Sequence, residues 1–362
     1  MKACLDTFSA GLADLSAFLS NADRETALVT SLLDERRQAS LTIDEGNLLV
    51  HISQAGTSKK QYVYVVGIIG LYGLLERLVD NIIEKYVSAV SSLANAYSDL
   101  PESIRKNHLP LSLELIKAVA EERDRTGETV ENVVANLHSC LTGDGQFRVN
   151  ASAFVLHRGN LKLSKIQDFL KGSGVEPSNR RLLVMPSLSG WFSATEPPRD
   201  TRVIADQDLP LLLSPIDDLV DRRNSISHGT IDDIETVDLL TARCQFVEAF
   251  GTAIYELLQQ ELLRAETSCS DAQNLGTPIK IFGGRIVCFE TSLCKISVGD
   301  RMVAATGDAL LPYRWSVINV LEVDKIRHQT LDITTSTKFA AEVNFKALEN
   351  HSYFVLAPEI KA

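Results

Sequence analysis

A change of period near residue 267 constrains this chain more than any other feature of its sequence. Upstream, apolar residues recur every three or four positions in Leu5 to Leu19, in Glu25 to Arg37 and in a long stretch from about Lys59 to Leu93. That spacing gathers them on one face of a helix. Downstream comes a segment rich in Ser, Asp, Asn, Gly and Pro that ends at Pro278. Short β-branched runs then take over: Ile279 to Phe282, Arg285 to Phe289, Trp315 to Val323 and Thr330 to Thr334. Turn pairs such as Gly299-Asp300 and Gly307-Asp308 separate them. The expected fold class is mainly α, a helical bundle with a small, barrel-like, all-β domain at its C-terminal side. The expected boundaries are a helical extension over 1–57, a helical domain over 58–266, a linker over 267–276 and a β domain over 277–362. A length of 362 residues fits two domains.

Within the helical part, Pro101 and Pro110 set off helices over Ser112 to Arg123 and Glu128 to Leu141, the second stopped by Gly143-Asp144-Gly145. A short helix spans Leu161 to Leu170 and ends at Gly172. Leu41 to Ile52, with the turn signal Asp44-Glu45-Gly46, reads as a small hairpin. Met185 to Leu209, with Gly190, Pro197 and Pro198, reads as a long surface loop. Ser214-Pro215-Ile216-Asp217 reads as a helix start. That helix runs to His228, where Gly229 is placed to end it in the left-handed conformation. A last long helix covers about Ile231 to Arg264. Gly67, Gly70 and Gly73 share one helix face and are expected to let another helix approach.

Composition narrows the function classes. Apolar residues at 45% and charged residues at 23% are the balance of an ordinary globular chain. The six cysteines are scattered without a Cys-x-x-Cys pair, so no metal site and no cofactor is expected. Val63 to Leu75 is strongly apolar, but Glu76 and Arg77 close it short of the roughly 20 residues of a membrane span. With no signal peptide evident, a cytoplasmic chain that engages no membrane is expected. A net charge of −11 argues against nonspecific coating of nucleic acid. A local basic cleft remains open to it, built from Arg222-Arg223, Lys59-Lys60 and Arg180-Arg181. His157-Arg158 and Arg327-His328 read as isolated surface charge, and Tyr313 with Trp315 as either core or a stacking platform.

The chemistry concentrates in Arg222-Arg223-Asn224-Ser225-Ile226-Ser227-His228-Gly229. RNA can be cut without metal because its own ribose hydroxyl attacks the neighbouring phosphorus. An enzyme then has only to move protons and stabilise added negative charge. Arginine stays charged and offers phosphate a planar fork of donors. Histidine gives or takes a proton near neutral pH. Arg223 and His228 lie about 500° apart along an ideal helix, hence roughly 140° around its axis. A phosphate across the end of the helix can still meet both. Asn224, one turn before His228, is placed to orient the ring, and the helix C-terminus favours the protonated imidazole.

This string, read from Leu219 to Gly229, resembles the Arg-x(4 to 6)-His motif of HEPN domains, including the polar residue after the arginine. Asn160 to Leu170 and the helix Tyr72 to Asp80 are similar to segments of the RiboL-PSP subgroup of that superfamily, and the likeness covers roughly residues 58–265. The resemblance implies a helical bundle that pairs two copies, so that two motifs face one another and cut RNA without metal. It implies catalytic roles for Arg223, Asn224 and His228, with Glu76 as the acidic residue from the first long helix. Arg222 and Asp80 are candidate substrate-binding residues. RNA, tRNA among the candidates, is the implied substrate, and an antitoxin or defence-system protein is an implied partner. A toxin or antiphage effector is the leading reading. A silent HEPN module that scaffolds RNA or protein is its rival.

Overall fold

The structure, a computed structural model, describes residues 1–32, 42–121, 127–143, 146–156, 159–195, 197–231, 233–269 and 271–358, with the backbone alone at 53 and 57. Arg37, Leu41, Arg123, Asp144-Gly145 and His157-Arg158, each read above, lie outside the described residues. The helices are α1 (Lys2–Leu32), α2 (Ile43–Gln54), α3 (Gly56–Leu93), α4 (Glu102–Ala120), α5 (Val130–Thr142), α6 (Leu163–Gly172), α7 (Asn179–Leu183), α8 (Pro186–Ser193), α9 (Leu209–Ser227) and α10 (Val237–Ser268). Among the described residues eleven strands follow: β1 (Gln273–Gly276), β2 (Lys280–Phe282), β3 (Ile286–Thr291), β4 (Cys294–Ser297), β5 (Arg301–Ala305), β6 (Tyr313–Val317), β7 (Leu321–Val323), β8 (Ile326–His328), β9 (Thr330–Ile333), β10 (Thr337–Glu342) and β11 (Ser352–Leu356). The chain divides into two compact units, residues 1–88 with 100–256, and residues 89–99 with 257–362.

In the helical unit, α1, α3 and α10 approach closely because glycines face large side chains. A Cβ on Gly11 would stand 2.5 Å from Leu74, and one on Gly67 3.3 Å from Leu240 and 3.5 Å from Leu19. One on Gly251 would stand 2.7 Å from both Leu78 and Phe8. The residues of α1 read as part of an extension therefore share the core of the bundle. Gly70 meets Leu15, whereas Gly73, read as part of the same contact face, looks onto open space. By length and apolarity α3 would reach across a membrane, and half of its apolar window is buried inside the chain. The core helix of a folded bundle meets the same criterion.

Four local readings change. Residues 43–54 form a helix instead of a hairpin. The Glu45 carboxylate accepts from the backbone N–H and hydroxyl of Thr42, each at 2.8 Å, and Thr42 Oγ1 accepts in return from the Glu45 N–H. This reciprocal cap starts a helix more strongly than Gly46 signals a turn. α4 begins at Glu102 and passes through Pro110. α9 begins at Leu209, five residues before Ser214, and passes through Pro215. Pro215 has no N–H for the Leu211 carbonyl, and the Ser214 hydroxyl donates to that carbonyl at 2.8 Å. Within the stretch read as a loop, Pro186–Ser193 is helical. The Glu256 carboxylate accepts from the Ser187 N–H and hydroxyl and so satisfies the first turn of α8.

The other unit is antiparallel throughout, in sheets ordered β1-β11-β5-β6, β2-β3-β10-β7-β8 and β4-β9. Val287, Phe289, Ile296, Met302, Phe339 and Tyr353 are among the side chains of its larger core cluster. The sheets wrap that core without their ladders closing into one ring among the described residues. The stretch read as a linker instead ends α10 and supplies β1, which pairs with β11. On edge strand β6, Gln260 donates to the Tyr313 carbonyl at 3.0 Å and accepts from its N–H at 2.9 Å. A side-chain amide thereby covers part of an open edge. Tyr313 and Trp315, both half-buried, pack against the core formed by Leu263, Val303 and Leu356.

Replacing Gly251 by Ala is expected to overpack the contact with Phe8 and Leu78, both almost fully buried, at a cost of roughly 1–3 kcal/mol. Gly73→Ala adds a methyl to open space on a helix and is expected to be neutral or to stabilise by about 0.5–1 kcal/mol. Paired thermal melts compare the two.

A polar knot inside the unit gives a second expectation. His108, fully buried, accepts through Nε2 from the Asn150 N–H at 3.0 Å, and Asn150 Nδ2 donates to Ser112 Oγ and the Val133 carbonyl. Burial lowers the His108 pKa from 6.5 to about 4. Unfolded chains bind this proton below about pH 6.5 and folded ones only near 4. The stabilisation is complete above the first value and lost as pH falls through the second. Denaturant titrations at pH 7 and pH 4 should differ by roughly 3 kcal/mol more for the parent than for His108→Gln, which keeps an acceptor but does not titrate.

Candidate active site

The C-terminal turn of α9 places the motif. The His228 N–H donates to the Asn224 carbonyl, the Gly229 N–H to Ile226 and the Thr230 N–H to Ser225, at 2.9–3.0 Å. With Gly229 at φ 78°, this is the double closure that ends helices at a left-handed glycine. His228 is the last residue before the reversal and is exposed to solvent. Its ring makes no hydrogen bond to a described side chain.

Arg223, one and a half turns earlier, is half-buried. Its guanidinium carbon lies 5.0 Å from the centre of the Tyr72 ring on α3, within the range where a cation is attracted to an aromatic face. Nη1 donates to Asn224 Oδ1 at 3.2 Å and to Asn160 Oδ1 at 3.4 Å. The Tyr72 hydroxyl accepts from the Leu161 N–H at 3.1 Å and donates to Glu76 Oε1 at 2.9 Å. Burial, chiefly, and the neighbouring Glu76 carboxylate raise the phenol pKa, against the opposing effects of the Leu161 N–H and Arg223. Tyr72 therefore keeps the proton it gives to Glu76.

Two more bonds hold the segment before α6 against α9. Asp217 accepts from the Leu163 N–H at 2.8 Å, and Lys162 pairs with Asp221 at 2.8 Å. Arg223, Asn224, Asn160, Tyr72 and Glu76 thus form one connected cluster, with His228 at the end of the same helix. Tyr72 and Asn160 carry no signal in the Arg/His motif itself. Tyr72 stands four residues before Glu76, the spacing at which helical side chains meet. Asn160 reaches Arg223 across 63 residues, a contact that only the fold creates.

Arg222 is placed differently from the expectation. It donates to Asp218, Asp233 and the Tyr64 hydroxyl, at 3.0–3.1 Å, and lies 3.4 Å from Glu235. Arg243 pairs with the same Asp218 and Glu235. Three carboxylates surround Arg222, and these ion pairs brace α9. Of the other basic residues read from the sequence, Lys59 pairs with Glu25, and Arg180 with Asp206 and the carbonyls of Arg202 and Ile204. Asp80 sits one turn beyond Glu76 and is among the charges that raise the Glu84 pKa, behind burial itself. No hydrogen bond joins Asp80 to Arg223. Among the described residues, no three His, Cys, Asp or Glu side chains converge as metal ligands.

A helical bundle with arginine inside and histidine at the tip of one helix, beside a long helix bearing Glu76, has the architecture of a HEPN-superfamily, nuclease-like domain. The family profile described as RiboL-PSP-HEPN matches residues 39–260, more than half of the chain. The protein belongs to the RiboL-PSP-HEPN family. The match takes in α2 and most of α10 and leaves α1 and the β unit outside it. No curated protein and no solved structure matches the chain.

Tyr72→Phe is expected to leave the ring under Arg223 but to strand the Leu161 N–H, on a residue with no exposure. A loss of about 1–3 kcal/mol should appear in chemical denaturation. An unchanged midpoint would mean that the hydroxyl does not brace the segment.

Proposed function

We propose that this protein is a metal-independent endoribonuclease in which Arg223 stabilises the reacting phosphate and His228 moves a proton. The observation that carries this reading is the contrast between the two residues. Arg223 is held by an aromatic face and two amides, while His228 is exposed at the end of the same helix. A positioned cation and a solvent-exposed imidazole on the same helix end are the two groups that transesterification of RNA calls for.

In the reaction, the ribose 2′-oxygen attacks phosphorus as its proton passes to a base, and the bond to the 5′-oxygen breaks. His228, as imidazolium, protonates the leaving oxygen. The products are a 2′,3′-cyclic phosphate and a 5′-hydroxyl. Charge gathers on the nonbridging oxygens, where the guanidinium fork meets them. The two side chains diverge around the helix axis, so one chain presents one imidazole for two proton transfers. A second copy, its motif facing the first, supplies the other, and this is the basis for proposing a homodimer. A toxin or antiphage effector held in check by a partner protein is the biological setting we infer from the family resemblance.

The test is incubation of the purified full-length chain with total RNA and with tRNA in the presence of chelator. Fragments ending in 2′,3′-cyclic phosphate are expected from the parent and not from His228→Ala, which should melt at the parent temperature because the ring is exposed. Loss of cleavage in chelator would remove the metal-independent mechanism. RNA binding without cleavage by the parent would favour a silent scaffold.

A further inference from the structure

We propose that Asn160, which lies outside the Arg/His motif, is a third phosphate-contacting residue, acting through its side-chain NH2 group. The inference rests on the ribonuclease reading of the same site and extends it by naming a donor set for the substrate.

The argument begins with Arg223, which has donors only. Any amide that bonds to it must turn its oxygen toward the guanidinium. Both Asn160 and Asn224 do so, through Oδ1 to the same Nη1. Their two NH2 groups are therefore turned away from the cation, and neither donates to a described residue. Asn160 is exposed, so its NH2 group is open to solvent. A cation flanked by two outward amide donors suits an oxyanion with several equivalent oxygens. The Arg223 Nη2 and Nε groups, which donate to no described residue, complete the set.

Asn160 also sits on a fixed support. Its own carbonyl accepts from the Lys162 N–H at 3.0 Å. The next three residues are each tied down: Leu161 N–H to the Tyr72 hydroxyl, Lys162 to Asp221, and Leu163 N–H to Asp217. Two helices, α3 and α9, thereby fix the backbone on which the amide stands. An exposed polar side chain on an unsupported loop would lose its rotamer freedom on binding, whereas here much of the ordering is complete before substrate arrives. Tyr72 and Asp217 are positioning residues in this scheme, and Asn160 touches the substrate.

Asn160→Asp and Asn160→Ala separate the amide's two ends. Asp keeps an oxygen for Arg223 and loses the NH2 group, while Ala loses both. Three readings are taken on full-length protein: thermal melting, cleavage of an RNA oligonucleotide, and binding of the same sequence with 2′-O-methyl riboses, which cannot be cut. Both variants should melt like the parent. Both should lose about 10- to 100-fold in kcat/KM, the worth of a hydrogen bond to a charged group, and should bind the methylated RNA more weakly. Parent-level cleavage by Asn160→Asp would show that only the oxygen matters and would overturn the proposal. Parent-level cleavage by Asn160→Ala would overturn it as well, because any loss in the Asp variant would then be repulsion by the added charge. If the parent itself neither cleaves nor binds RNA, the ribonuclease reading fails first and takes this assignment with it.

Discussion

The site depends on one buried phenol. Tyr72 has a single hydroxyl and satisfies it on both sides, accepting from Leu161 and donating to Glu76. The side chain cannot swing to another rotamer without breaking both bonds, and Arg223 lies over the face of its ring. Three separate parts of the chain, α3, the approach to α6 and the end of α9, are thereby brought to one place. The energy of each bond is modest, but leaving the Leu161 N–H unpaired inside the core costs more than the bond contributes. The arrangement is accordingly held by the cost of its alternatives.

Charge pairing decides which arginine keeps its charge uncompensated by a carboxylate. An acidic chain has carboxylates to spare, and α9 uses them unevenly. Asp218, Asp233 and Glu235 surround Arg222 and Arg243, while Arg223 receives neutral oxygens from two asparagines. A carboxylate in place of either asparagine would neutralise the positive field of the guanidinium. Neutral acceptors orient the fork and leave its charge in place. Adjacent residues of identical chemistry thus take opposite tasks because successive helical positions point about 100° apart.

The motif from Arg223 to Gly229 was legible in the sequence because it is local. Its spacing, the asparagine and the terminating glycine all act within two turns of one helix, and the left-handed Gly229 stands where the pattern put it. The division into helical and β-rich parts was legible for the same reason, since periodicity is a property of neighbours. Short-range signals in competition were harder to rank. Gly46 suggested a turn, but the reciprocal cap between Thr42 and Glu45 made a helix. Pro110 and Pro215 suggested helix starts, and the chain carried its helices through both.

The amino-acid sequence by itself determined the class of the fold, the motif from Arg223 to His228, and the helix end on which that motif sits. Those depend on the order of residues within a few turns. Tertiary structure alone decided that Asn160 meets Arg223, that Tyr72 lies beneath it, and that Arg222 is consumed by Asp233 and Glu235. These outcomes turn on which side chains meet across tens of residues and on which charge is compensated first. No spacing rule encodes such meetings, because they arise when helices pack and buried polar groups must all find partners.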